Sequence, residues 1–398
     1  VLYWAFYFEL SGRHLTLKQF TKHIKVLITG GGTGGHYFPA LAIARKLKGV
    51  LIQQYPGFDI QFFYIGSSLG IEAQRKEKGL FHREYYIPIK GFARSLYKGA
   101  ILNNLKFPFR LLKSIWIVKR IFKSVNPDIV IATGGYVSGV PGWEAIQRRI
   151  PLYIQEQNAW PGITTKILVK HARMLFYAYE DILPHLHIPP GARLIQTPNP
   201  VRSTLQLTDK PSALKKWALK GNRKTLFIFG GSQGSRSINQ HVSKYAETWV
   251  RDLPLQLLWQ TGPLHYDTVR NTLRNRDHIH LHPFIEDMGT AYSAADLIIC
   301  RAGALTLTEL EYVKKPAVLI PLPSSAADHQ FHNAKALEKR GIAVVITENQ
   351  FDEGTLDTTV RNLITKPETL ENLKNHFPET VEDGLSKIVQ SIIEDIPF

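Results

Sequence analysis

Apolar residues along this chain come in short β-rich runs that alternate with stretches of helical spacing. The first run is Ile24-Lys25-Val26-Leu27-Ile28-Thr29, and its length and branched residues predict a strand. A glycine turn, Gly30 to Gly35, follows it, and from Pro39 the positions Leu41, Ile43, Ala44 and Leu47 take up a helical pattern. The same succession of strand, glycine turn and helix recurs at 128–139 (DIVIATGGYVSG), 225–238 (TLFIFGGSQGSRSI) and 297–309 (LIICRAGALTLTE). Plainer strands are predicted over 60–65, 152–155, 255–259, 317–320 and 343–346. Alternation of this kind builds βαβ units around a parallel sheet. The pattern restarts after Thr197-Pro198-Asn199-Pro200, a Pro-rich stretch suited to a linker. Two doubly wound α/β halves are therefore expected, over residues 25–200 and 201–380, after an extension of residues 1–24. The end of the chain, about residues 381–398, is read as a helix able to pack back on the first half. Ligands of such sheets bind beyond the carboxyl ends of the strands, where all four glycine turns sit.

Composition narrows the class. The chain has 398 residues, 44% hydrophobic and 21% charged, which excludes a disordered, collagen-like or coiled-coil protein. Lys and Arg total 49 against 33 Asp and Glu, a net charge of +16. That excess favours nucleic acid, an anionic membrane face or phosphorylated substrates as partners. A nucleic-acid binder would carry stacking aromatics within a basic module; none is recognisable, so no nucleic-acid partner is expected. The lone cysteine, Cys300, rules out an internal disulfide and argues against a Cys-type zinc site. The opening apolar run, Val1 to Phe8, is 8 residues long against the ~20 that a span needs. It lacks a basic flank and a small-residue cleavage site, so no signal peptide is expected.

Candidate chemistry clusters at the turns. Gly30–His36 offers close backbone approach and a helix N-terminus, both suited to phosphate or pyrophosphate; a tight structural turn is the alternative. Gly30, Gly32 and Gly35 satisfy G-x-G-x-x-G, yet the next strand ends Tyr64-Ile65-Gly66-Ser67 with no carboxylate for a dinucleotide. A P-loop fails as well, since His36 stands where Lys would be required. Gly230–Ser235 repeats the device, with Ser232 and Gln233 as added donors. Arg301–Thr306 opens a further helix with Glu309 in it, able to take two hydrogen bonds from a ribose diol or to complement the helix dipole; the sequence leaves both open. Gln155–Gly162 reads either as a sugar- or amide-binding run or as a hydrogen-bonded loop. Asp328-His329-Gln330 lacks metal-ligand spacing, and no metal site is expected.

Between Lys90 and Lys123 lie nine basic residues and no acidic one. After Pro108, Leu111, Ile115, Val118 and Phe122 form one helical face assigned to the core. The other side carries Lys113, Lys119, Arg120 and Lys123 with Leu112 and Trp116, the pattern of an interfacial segment; a merely solvated basic face is the alternative.

Taken in order, GGGTGGHYFPALA, GGYVSG, EQNAWPG, NPVR, GGSQGS, RAGALTLTE and DHQFHNA resemble the motifs of the MurG family of peptidoglycan glycosyltransferases. The resemblance runs from about Lys25 to the C-terminus. It implies a GT-B fold, in which two Rossmann-like domains face a cleft, with acceptor and membrane on the first and UDP-sugar on the second. It also implies an inverting transfer, without metal or cofactor, of N-acetylglucosamine from UDP-N-acetylglucosamine. The acceptor is the C4 hydroxyl of undecaprenyl-pyrophosphoryl-muramyl-peptide, at the cytoplasmic face of the plasma membrane, where the enzyme is peripheral and meets an anionic surface. By motif, Glu309 holds the ribose hydroxyls, Ser232 with the Gly230–Gly234 loop and Arg202 contact the diphosphate, and Ile285 pairs with uracil through its backbone. Ala304, Leu305 and Thr306 present a helix N-terminus to the nucleotide, and Gln330 with Asn158 holds the sugar. Thr33, Gly34 and Gly35, with Gly134, Gly135 and Tyr136, form the loops for the acceptor and its pyrophosphate. His36 is expected to be the general base or to position the acceptor. Two positions depart from the pattern: Pro198 stands where Gly is common, and Gln155 where His is common.

Overall fold

A computed structural model describes residues 22–75, 77, 79–91, 104–201, 205–323, 325, 328–380 and 382–396. The first half runs β1 (His23–Thr29), α1 (Gly34–Gln54), β2 (Asp59–Ser67), β3 (Arg83–Ile87), α2 (Phe107–Val125), β4 (Ile129–Ala132), α3 (Gly139–Gln147), β5 (Leu152–Glu156), α4 (Ile163–Leu168), β6 (Met174–Tyr177) and β7 (Arg193–Gln196). Its strands pair in parallel in the order β3-β2-β1-β4-β5-β6-β7. The second half runs α5 (Lys210–Lys216), β8 (Lys224–Phe229), α6 (Arg236–Asp252), β9 (Leu255–Gln260), α7 (Tyr266–Thr272), β10 (Ile279–His282), α8 (Met288–Ala294) and β11 (Leu297–Cys300). It continues with α9 (Ala304–Val313), β12 (Ala317–Leu319), α10 (His329–Lys339), β13 (Ala343–Val345), α11 (Thr355–Thr365) and α12 (Pro367–Asn375). Its order is β10-β9-β8-β11-β12-β13, again parallel.

Both sheets are covered on both faces, which is why their strands read as continuous apolar runs. In the first, Val26, Ile28, Phe62, Tyr64, Ile129 and Ile131 pack with Leu41, Ala44 and Leu47 of α1. Leu27, Phe63, Ile65, Val130 and Ile154 pack on the other face with Val118 and Phe122 of α2. Strand order reverses between β1 and β4 and between β8 and β11. Neighbouring loops part at such switch points and leave a crevice.

The last helix, α13 (Gly384–Asp395), follows the second half yet packs on α1, with Ile388, Val389 and Ile392 in the first core. Asp395 accepts from the Tyr153 hydroxyl at 2.8 Å and pairs with Arg173. At the crossing, Gly384 lies against the Pro198 carbonyl, where a Cβ would come within 2.0 Å.

Helix α2 turns Ser114, Val118, Ile121, Phe122 and Val125 inward. Leu111 and Ile115, expected in the core, are half-buried at its margin. On its outer side Leu112 is 65% exposed and Trp116 54%, among exposed Lys113, Lys119, Arg120 and Lys123. The Arg120 guanidinium lies 3.6 Å from the centre of the Trp116 ring. Phe109 is also exposed, and Trp143 on α3 with Ile163 and Ile167 on α4 add to the apolar exposure. Helix α3 packs against both α2 and α4. Arg94 and Lys98 lie outside the described residues. Among the described residues no helix is long and apolar enough to cross a membrane.

Candidate active site

The first crevice lies between the loop after β1 and the loop after β4. Thr33 is the exposed N-cap of α1 and makes no side-chain cap bond. Gly34 and Gly35 open the helix, and His36 stands in its first turn, half-buried. The imidazole Nδ1 lies 3.0 Å from the Thr133 carbonyl and 2.9 Å from Gln157 Oε1. Gly134 and Gly135 have φ of 89° and 74°, and a Cβ on Gly134 would reach within 2.9 Å of His36 Nδ1. These two glycines make room for the imidazole, a role that the expected pyrophosphate contact did not foresee. The Tyr136 ring lies over Gly32 and Gly91. Burial and the nearby Glu72 carboxylate push its phenol up, so near neutrality it is a protonated donor rather than a base.

At Gly32 the structure corrects the expected phosphate cradle. Its N–H donates to both carboxylate oxygens of fully buried Glu72, at 2.9 and 3.0 Å, and Ser67 N–H donates to Oε1 at 2.8 Å. A resident carboxylate occupies that nest of donors. The donors facing the crevice are those of the first turn of α1, left without intrahelical partners by helix geometry.

Beside His36 the end of β5 forms a buried amide cluster. Gln157 Nε2 donates to Thr133 O at 2.8 Å and to Gln155 O at 3.1 Å, and it also bonds Gln155 Oε1. Gln155 Nε2 donates to Asn199 Oδ1 at 2.9 Å, and Asn199 Nδ2 donates to the Gln157 carbonyl at 2.9 Å. Glu156 turns away, accepting from Asn158, Gly162 and Thr165.

The second crevice lies between the loops after β8 and β11. Ser232 is exposed in the Gly230–Gly234 turn. Gly234 has φ 75°, and a Cβ there would fall 1.9 Å from the Thr261 carbonyl. Ser235 caps α6 by accepting from Ile238 N–H, and Arg301 donates to that hydroxyl at 2.7 Å. Buried Arg301 also donates to the carbonyls of Ile320 and Pro321, each at 3.2 Å, so it ties the ends of three strands together. Helix α9 starts at Gly303 with no side-chain cap bond. Its first turn, Ala304, Leu305 and Thr306, therefore offers backbone donors and the positive dipole end. Glu309 is 3% exposed, and its Oε2 accepts from the buried Tyr292 hydroxyl at 2.9 Å. Ile285 is buried, and its N–H donates to Gln260 Oε1 at 2.8 Å. Pairing with uracil through both of its backbone groups thus meets an occupied donor. Gln330 Oε1 accepts from Leu322 N–H at 3.0 Å. Arg202 lies outside the described residues.

The halves meet through Asn158 and Asn333. Asn333 Oδ1 accepts from Ala159 N–H at 2.7 Å, and its Nδ2 donates to Asn158 Oδ1 at 3.2 Å and Ala302 O at 3.4 Å. Asn158 is thus joined through Asn333 to the start of α9, while Gln330 bonds Leu322. Trp160 stacks on His332 with centroids 4.4 Å apart and planes at 17°, and His185 lies 3.9 Å away from it. Glu72, Tyr292 and Asn333 are residues at the site that sequence reasoning missed, and Gln157 and Arg301 were read only as members of the runs Gln155–Gly162 and Arg301–Thr306. Asn333 lay within a quoted motif, DHQFHNA, and Gln157 within EQNAWPG. Among the described residues no three His, Cys, Asp or Glu side chains converge on a metal position. Cys300 is buried, and burial pushes its thiol up.

Comparison with known proteins places this geometry. The glycosyltransferase family 28 N-terminal domain matches residues 26–177, and the family 28 C-terminal domain matches residues 225–390. The chain is 36% identical over 376 residues to the UDP-N-acetylglucosamine–N-acetylmuramyl-(pentapeptide) pyrophosphoryl-undecaprenol N-acetylglucosamine transferase of Listeria welshimeri, covering 93% of this chain and 99% of that protein. The same enzyme of Desulforamulus reducens is 36% identical over 382 residues, with the same coverage. The crystal structure of Acinetobacter baumannii MurG superposes with a TM-score of 0.71 at 27% identity, covering 94% of this chain and 99% of that one. The two parallel-sheet domains are those of the GT-B fold.

Proposed function

This chain belongs to the MurG family, within glycosyltransferase family 28, and from that premise we infer its reaction. It moves N-acetylglucosamine from UDP-N-acetylglucosamine to N-acetylmuramyl-(pentapeptide) pyrophosphoryl-undecaprenol. The observation that carries the reading is the pairing of two unlike crevices. One presents an imidazole whose Nδ1 is already committed; the other presents an uncapped helix N-terminus above a buried carboxylate. Asn158 and Asn333 join them.

The first turn of α9 faces the nucleotide, Glu309 takes the ribose hydroxyls, and the Ile285 carbonyl remains to accept from uracil. The Gly230–Gly234 turn with Ser232 and Arg202 holds the diphosphate, and Gln330 with Asn158 holds the sugar. The acceptor's C4 hydroxyl attacks the anomeric carbon from the face opposite UDP. The bond from that carbon to the diphosphate breaks, its electron pair leaves on the phosphate oxygen, and the configuration inverts. The hydroxyl proton passes to His36 Nε2. Backbone donors fixed before the reaction stabilise the charge that builds on the leaving group. The first turn of α1, with Thr33, Gly34 and Gly35, faces the acceptor pyrophosphate.

The acceptor's lipid stays in its bilayer, so the enzyme must come to it. The outer side of α2 supplies Leu112 and Trp116 among Lys113, Lys119, Arg120 and Lys123, a surface suited to peripheral docking on an anionic cytoplasmic leaflet. The reaction is tested by transfer of radiolabel from UDP-N-acetylglucosamine to a lipid-linked muramyl-pentapeptide, with UDP-glucose as control. Label in the lipid fraction only from the N-acetylated donor is expected. Equal transfer from UDP-glucose would refute the donor assignment.

A further inference from the structure

His36 Nδ1 faces two oxygens, the Thr133 carbonyl at 3.0 Å and Gln157 Oε1 at 2.9 Å. Both can only accept, so a neutral imidazole in this place carries its proton on Nδ1. Everything then turns on whether the Gln157 oxygen, rather than its NH2, faces the ring, and the surrounding bonds decide it. Turning the amide over would set its oxygen against the Thr133 carbonyl, the Gln155 carbonyl and Gln155 Oε1 together. The Gln155 amide is fixed in turn. The Gln157 backbone carbonyl can only accept, so the Asn199 atom 2.9 Å from it is Nδ2; Asn199 Oδ1 then receives Gln155 Nε2. The donors and acceptors run in one sense from that carbonyl through Asn199, Gln155 and Gln157 to the imidazole. All three amides are buried, where a reversed dipole would leave several groups unsatisfied at once.

We propose that Gln157, backed by Gln155 and Asn199, is a positioning residue that locks His36 in its Nδ1–H tautomer and so presents Nε2 as the proton-accepting atom. The proposal rests on His36 being the base of the transfer reaction. It also gives the Gln155 departure a physical meaning. An imidazole at that position could change its own proton count, whereas an amide cannot, so here the sense of the relay is independent of pH. The charged and titratable groups around it do not compete for the ring. Glu72 is spent on Gly32 and Ser67, Glu156 on Asn158, Gly162 and Thr165, and the Tyr136 phenol is held protonated.

The test reads the tautomer directly. In the full chain labelled with 15N-histidine, the His36 signal is assigned by its loss in His36→Ala. In the neutral ring, wild type is expected to show a protonated Nδ1 and a bare Nε2. Gln157→Met keeps the side-chain length and removes one of the two acceptors, leaving the Thr133 carbonyl 3.0 Å from Nδ1. With that carbonyl alone, part of the population should move to the Nε2–H tautomer, and kcat should fall ~10-fold with the KM for UDP-N-acetylglucosamine within about twofold. A protonated Nε2 in wild type overturns the proposal without any variant having to fold, as does a Gln157→Met enzyme with unchanged tautomer and kcat. Unchanged kcat in His36→Ala would instead remove the base role, while the tautomer measurement still decides the relay by itself.

Discussion

Glu309 carries its carboxylate beneath the first turn of α9 with the Tyr292 hydroxyl on Oε2, so truncation to alanine would confound binding with an orphaned buried hydroxyl. Glu309→Gln keeps the shape and an oxygen for Tyr292 but removes the charge. Hydrogen bonds to a charged group are worth ~1.5–3 kcal/mol, so the KM for UDP-N-acetylglucosamine should rise ~10-fold or more with little change in Tm. An unaltered KM would leave Glu309 in a structural role beside Tyr292. His36→Ala tests the other crevice: loss of a general base lowers kcat by ~10²-fold or more. Activity within a few-fold of wild type would pass the proton to another group. His36, Glu309 and the glycine turns were legible because each is local: a turn, a helix start and a side chain a few positions on. Glu72 and Gln157 were not, because their partners Gly32 and His36 lie 40 and 121 positions away. Only the sheet order brings them together, so a sequence read from one end to the other gives no sign of those contacts.

Among the elements, most strands buried on both faces announced themselves as apolar runs, and so did the edge strand β13, whereas β3, β6, β7 and β10 did not. β6 is buried throughout but only four residues long, too short a run to stand out. β10 reads IHLH, and β7 reads RLIQ with three of its four residues exposed; neither offers the continuous burial that makes a central strand readable. Helix α2 was legible as amphipathic, but its buried stripe is centred on Val118, Ile121, Phe122 and Val125, with Leu111 and Ile115 toward the margin. That leaves Leu112, Trp116 and Phe109 outward. Trp116 carries Arg120 over its ring, and the pair spreads an apolar plate under a cation, as an interface between lipid and water favours. Each basic group near an anionic leaflet contributes ~1 kcal/mol. Reversal of Lys113, Lys119 and Arg120 should therefore weaken binding to anionic vesicles by ~100-fold or more, and salt should weaken the wild type. Co-sedimentation measures it. Equal binding to neutral vesicles, or reversals without effect, would place the membrane contact away from α2.

Across the whole molecule, each domain has a core of its own, and the chain crosses between them twice, after β7 and again before α13. At the interface Ala159 and Tyr179 of the first domain are buried in an apolar cluster of the second, beside polar and aromatic contacts: Asn158 with Asn333, Trp160 on His332, and an exposed pair, Lys339 with Asp181 at 3.7 Å. Exposed pairs of that kind contribute little. Asn333 matters more, because it is buried and satisfies the buried N–H of Ala159 from the opposite domain. Asn333→Ala leaves that donor unpaired, at a cost of ~1–3 kcal/mol. The cost falls on the joint between the domains, where Asn333 bonds Ala159 and Asn158 of the first. The expected result is local opening: the Ala159 amide should exchange its hydrogen ~10-fold faster or more, while core amides of β1 and β8 keep their protection. Turnover should fall as well, because sugar donor and acceptor reach each other only when the two crevices hold their mutual orientation. Unchanged exchange at Ala159 would show that Trp160 and the two chain crossings fix the domains without Asn333. Loss of protection in β1 and β8 together would instead show that the two domains unfold as one cooperative unit.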